Sequence, residues 1–218
     1  TTAAANTGNP SGAVRIVATG TAGVALSGAI DTSGAGDDGT ATMAGDGGDV
    51  EISTNNAAVE VASITASGGD GAGGNSDGGA AGNISITAGG NNSLTLVEAV
   101  DALGGAGDGV GVNGADGVVT LDSDTGGNVT QSLAIRTGGL ELLGAGAVVL
   151  QNAGNQFSTL AGDVGGAIAL VNAGGFVLDA VGGTNDLRST GNITLQAGGD
   201  VAQAGADGEI FAAGLELL

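Results

Sequence analysis

VRIVATGTAGVALSGAIDTSG (14–34) holds three short apolar pieces: VRIVA (14–18), VALSG (24–28) and AIDTS (29–33). Apolar and polar residues alternate in Val14-Arg15-Ile16, and again in Val50-Glu51-Ile52. Alternation puts apolar side chains on one face of a strand and charges on the other. Gly, Asn and Ser fall between the pieces, where a corner needs positive φ or a side-chain-to-backbone bond.

The same arrangement returns about every 35 residues, the period of a stacked repeat. The opening pair recurs as Val14/Ile16, Val50/Ile52, Ile84/Ile86 and Val119/Leu121. A second anchor recurs at Val24, Val59, Leu94 and Val129, and a third at Ile30, Ile64, Val100 and Ile135. Gly34, Gly68, Gly104 and Gly138 then open a loop. Three of these loops are long and rich in Gly and Asp: 34–48, 68–82 and 104–117. Having almost no large apolar side chain, they are expected to pack no core and to emerge stacked from one corner. Their order would then come from backbone pairing, a neighbouring chain or bound cations.

Beyond residue 138 the period shortens. AVVLQNAGNQFSTL (147–160) matches AIALVNAGGFVL (167–178), with Leu150 and Leu170 equivalent and Phe157 beside Phe176. Asn152 and Asn172 fall at matching places, as an internal amide ladder or as two turn residues. A longer echo pairs GGLELL (138–143) with AGLELL (213–218), and GVVTL (117–121) with GNITL (191–195). The expectation is an all-β, right-handed parallel β-helix with Gly/Asp-rich loops inserted at one corner of its rungs. It would have long-loop rungs over 1–138 and short-turn rungs over 139–218, in one continuous solenoid. A β-sandwich explains the strands but not three anchors recurring together.

Composition narrows the function. Hydrophobic residues make up 41% of the 218, enough for a core, yet aromatics are only 1%, so that core is thin and aliphatic. The 48 Gly and single Pro exclude collagen. With a formal charge of −20 and three basic residues, Arg15, Arg136 and Arg188, neither nucleic acid nor anionic lipid is an expected partner. No apolar run is long enough to span a membrane. The chain opens Thr-Thr-Ala without Met or signal peptide, which reads as an internal or processed portion of something longer. Leu215, Leu217 and Leu218 finish it in an apolar rung, so covalent continuation or end-to-end self-association is expected.

Repeats such as SGGDGAGGNSDGGAAGNISITAGG (67–90), GAVVLQNAGNQFSTLAGDVGGAIALVNAGGFVL (146–178) and STGNITLQAGGDVAQ (189–203) resemble those of filamentous-haemagglutinin-like large exoproteins. The resemblance covers nearly the whole chain and is one of repeat style. It implies a β-helical shaft on the outer surface of a Gram-negative bacterium, non-enzymatic and adhesive. Its ligand would be a host-surface or matrix carbohydrate or protein. The family's amino-terminal secretion domain is not recognisable here.

No catalytic constellation is visible. Without His or Cys there is no triad built on either, and without Lys no phosphate loop ending in Gly-Lys. A carbohydrate-active β-helical enzyme is the alternative. It has carboxylates to draw on but no Trp or Tyr as a sugar platform, and only three Arg to hold an acidic sugar. Asp37, Asp38, Asp70, Asp77, Asp108 and Asp116 are candidate calcium ligands, since stacked loops bring carboxylates and carbonyls together. A hydrated acidic face is the competing reading. Asn83, Asn91, Asn128 and Asn192 each open an Asn-x-Ser/Thr tripeptide, a glycosylation pattern that Gly-Asn turns before strands also generate. Thr40 and Thr42 form an isolated Thr-x-Thr with no rung period, so an ice-binding array is not expected.

Overall fold

The computed structural model describes residues 10–39, 43–205 and 207–218; Thr40 and Thr42 lie outside them. The architecture is a parallel β-helix, all β, with no helix among the described residues. Each long rung contributes one strand to each of three walls. The first wall stacks Val14–Ala18, Val50–Thr54, Ile84–Ala88 and Val118–Asp122, then Gly139–Gly144 and Thr159–Val164. The second runs from Val24–Leu26 through Val59–Val61, Leu94–Leu96, Val129–Gln131, Val148–Leu150, Ile168–Asn172 and Asn192–Ala197 to Gly214–Leu217. The third is shorter: Ile30–Asp31, Ile64–Thr65, Val100–Ala102 and Ile135–Thr137. All strand pairs between rungs are parallel.

The anchors stack in the expected register. Val14, Val50, Ile84 and Val119 form one column. Val24, Val59, Leu94 and Val129 form the second, and Ile30, Ile64, Val100 and Ile135 the third. All are buried except Val14 and Ile30, which are half-buried in the first described rung. Period-two alternation fixes this outcome, because a slip of one residue would turn every anchor outward. Phe157 and Phe176 meet inside with ring centroids 5.2 Å apart, tilted by 52°.

Three features accompany the change of period. The third wall stops at Ile135–Thr137 and is continued, among the described residues, by the isolated bridge of Arg136 to Gln156, so the turn over 139–156 holds two strands, Gly139–Gly144 and Val148–Leu150. Thr159–Val164 is then followed by a fork. Its first half pairs with Phe176–Leu178 and its second with Leu187–Ser189, because 179–186 loop out between them. Finally, the echoed motifs change wall. GVVTL and GGLELL lie side by side in the first wall, GNITL and AGLELL side by side in the second.

No amide ladder joins Asn152 to Asn172. Asn152 takes the turn role: its Nδ2 donates to the Ser132 carbonyl and its Oδ1 accepts from Gly154 N–H. Buried Asn172 instead holds the Phe157 backbone, accepting from its N–H at 3.0 Å and donating to its carbonyl at 3.1 Å.

Candidate functional site

The long loops do have a packed interior, made of backbone rather than apolar side chains. Each loop runs out and back as two extended arms, and the arms of successive loops lie together in two layers. The six consecutive amides from Gly78 to Asn83 show the rule. Gly78 and Ala81 donate to Val112 and Ala115 of the next loop. Gly79 and Gly82 donate to Gly69 and Ala66 of their own outgoing arm. Ala80 and Asn83 point outward, where carboxylate oxygens of Asp46 and Asp49 accept at 2.7 and 2.8 Å. A three-residue period with these bonds leaving the arm is the pattern of polyproline II, and glycine or a small residue such as Ala35, Ala44 or Ser76 stands where the arms crowd. The result is a glycine raft attached along one side of the solenoid.

The raft also gives the acidic residues their places. Asp70 Oδ1 accepts from Ala106 N–H at 2.8 Å, and Asp77 Oδ1 from Val112 N–H at 2.7 Å. Asp108 Oδ2 reaches back to Gly74 N–H at 2.7 Å, and Asp116 Oδ1 accepts from Gly104 N–H at 2.8 Å. Asp37 Oδ1 accepts from Gly39 N–H at 3.0 Å; Asp38 stands exposed at the tip of the first loop. Five of the six candidate calcium ligands thus accept from backbone amides of their own or a neighbouring loop, and no group of three or more converges as a metal-ligating set among the described residues. Asn83 and Asn128 belong to the same rung-to-rung system, accepting from Val118 and Ala147 N–H. Asn91 and Asn192 are exposed.

The last loop closes the raft with side chains. Gly34 and Gly68 donate to the next loop's Ser67 and Leu103 carbonyls, but Gly104, the third in that column, donates to Asp116. Asp37 and Gly71 donate to Asp70 and Ala106, whereas Gly107 donates to Asn113 Oδ1 at 2.9 Å. The third wall ends likewise: Ile30, Ile64 and Val100 donate to backbone carbonyls, while Ile135 donates to Asn155 Oδ1 at 2.9 Å. Sequence reading missed these terminators. Their signal is that Asn113 and Asp116 stand where the earlier loops carry Ala44/Gly78 and Gly47/Ala81.

Each arginine is paired. Arg136 grips Asp101 with two bonds of 2.6 and 2.7 Å, and these bonds hold its guanidinium above its ordinary pKa. Arg15 meets Glu51 at 2.9 Å; Arg188 meets Asp186 at 2.7 Å and lies over the Phe211 ring at 4.0 Å. On the outer face of the first wall, Glu141 is buried beneath the 179–186 excursion, accepting from Thr120, Gly183 and Thr184. A shallow recess of about 200 Å³ lies along Asn192–Thr194 and Gly214–Glu216. No family model, no curated protein and no solved structure matches the chain.

Proposed function

We propose that the chain is part of a non-enzymatic structural and adhesive shaft of a secreted bacterial surface protein, held outside a Gram-negative cell. The observation that carries this reading is the unbroken run of parallel hydrogen-bonded strands along the second wall, from Val24–Leu26 to Gly214–Leu217. Such a ladder transmits tension along its axis through bonds loaded together, and each rung is held by its neighbours. The raft adds a second hydrogen-bonded layer beside the first four rungs and occupies the carboxylates in backbone bonding. The repeat-style resemblance to filamentous-haemagglutinin-like exoproteins supports the same reading. The ligand class it implies is a matrix or host-surface carbohydrate or protein.

Two measurements test it. Pulled between its ends, a single molecule should lengthen in rung-sized steps of about 20 to 35 residues. Beads coated with the protein should be retained on surfaces bearing matrix proteins or glycans, and a polysaccharide panel incubated with it should stay uncut. Release of reducing or unsaturated sugar ends from that panel would overturn the shaft in favour of a carbohydrate-active β-helical enzyme.

A further inference from the structure

One two-strand unit occurs twice, and only one copy is covered. In the first wall Val119, Thr120 and Leu121 face Leu140, Glu141 and Leu142; in the second, Ile193, Thr194 and Leu195 face Leu215, Glu216 and Leu217. The outward threonine donates to the outward glutamate in both, Thr120 to Glu141 Oε2 at 2.9 Å and Thr194 to Glu216 Oε2 at 3.3 Å. Gly139 and Gly214 occupy the same place two residues before each glutamate.

The first copy carries a lid. Val181 and Thr184 exchange both backbone bonds, at 2.9 and 3.0 Å, around Gly182-Gly183. Gly182 has φ +59°, as the first central residue of a tight primed hairpin turn requires. Gly183 N–H and Thr184 Oγ1 both donate to Glu141 Oε1, at 3.0 and 2.9 Å. Val181 is buried over Gly139, where an added Cβ would lie 2.9 Å from Val181 Cγ1. The glycine is thus the seat, the glutamate the anchor, and the turn the occupant.

The second copy has seat and anchor without an occupant. Gly214 and Glu216 line the recess of about 200 Å³ together with Asn192, Ile193, Thr194 and Leu215. We propose that this recess binds a polypeptide turn of the Val-Gly-Gly-Thr kind. Its β-branched residue sits over Gly214, and the backbone N–H of its second glycine and its threonine hydroxyl donate to Glu216. Asn192 replaces Val118 at the rim, so a β-branched residue of either polarity, Val or Thr, suits the seat. The chain's own Val181–Thr184 turn is engaged on Glu141, so the occupant is a second turn of that chemistry on another polypeptide segment.

The test tethers a copy of residues 179–186 (DAVGGTND) to Leu218 through a flexible Gly/Ser linker, which raises its local concentration to about millimolar. The expected result is that the amide of the second tethered glycine exchanges about tenfold more slowly than in the free octapeptide. NMR shifts should move at Asn192, Thr194 and Glu216 but not at Thr120 or Glu141. Glu216→Ala removes the anchor and Gly214→Ala fills the seat, so each should abolish both effects while the Gly104 amide stays unchanged as a check on folding. A tethered turn that exchanges as fast as the free peptide, or one whose protection survives both substitutions, overturns the proposal.

Discussion

A methyl group on Gly105 would overlap the Gly69 carbonyl, and one on Gly79 would overlap that of Gly45. Neither neighbour is a flexible side-chain end; each is backbone already bonded into the raft. Gly105→Ala should therefore cost about 1–3 kcal/mol, the ordinary range for forcing extra volume into a packed interior. Gly28→Ala is the control, since its Cβ would meet nothing within 4 Å. Urea denaturation of the two variants should separate them, with only the first moving to a lower midpoint. Asn155 is the corresponding polar position. Its Oδ1 takes the Ile135 and Gln131 donors, and its Nδ2 serves Gln131 and the Leu150 and Val171 carbonyls. Asn155→Ala leaves buried groups unpaired and should cost about 3 kcal/mol. Asn155→Asp should not restore stability, because a carboxylate lacks the donors that two backbone carbonyls need. Equal midpoints for Asn155→Asp and the parent would refute this account. The aliphatic anchors were legible in the sequence because period two leaves them one face to occupy. Asn155 was not, because its partners lie 5 to 24 residues away and nothing local marks them.

The loops show where reading by hydrophobic pattern fails. Such reading finds a core only where large apolar side chains recur, whereas the raft buries glycine backbone. Its signal is a local period of three: Gly45/Gly48, Gly79/Gly82 and Gly114/Gly117 face inward, with Asp46/Asp49 beside them pointing out. Averaged over the chain, the glycine content gives no such period, so the composition argument against collagen hides it. Termination of the raft is open to direct measurement. Asp116→Ala should speed exchange of the Gly104 amide without affecting Gly107, and Asn113→Ala should do the reverse. Asp116→Asn and Asn113→Asp keep an acceptor in each place and should rescue protection. Uniform loss of protection across all three loops in either variant would show that these side chains act through general stability and not as terminators.

Over the whole molecule, the 23 acidic residues face three arginines, all of them already paired. Folding brings the remaining like charges closer than they lie in an unfolded chain, so repulsion is greater in the folded state. Salt screens that repulsion over about 8–10 Å at physiological strength. The melting temperature should therefore rise as NaCl goes from low concentration to the physiological range, by about 2–4 °C for each kcal/mol recovered in a chain of this size. A chelator tests a different point. The raft amides from Gly78 to Asn83 and from Gly104 to Gly107 all have acceptors within the chain. Their protection should consequently survive chelation when NaCl holds the ionic strength constant. Limited proteolysis under those conditions should leave 68–82 uncut and begin instead at exposed positions of the third loop, such as Val110 and Val112, which stand 84% and 69% exposed at its tip. If chelation at constant ionic strength opened all three loops to the protease together, and micromolar calcium closed them, carboxylate–cation bonds rather than backbone pairing would be what orders the raft.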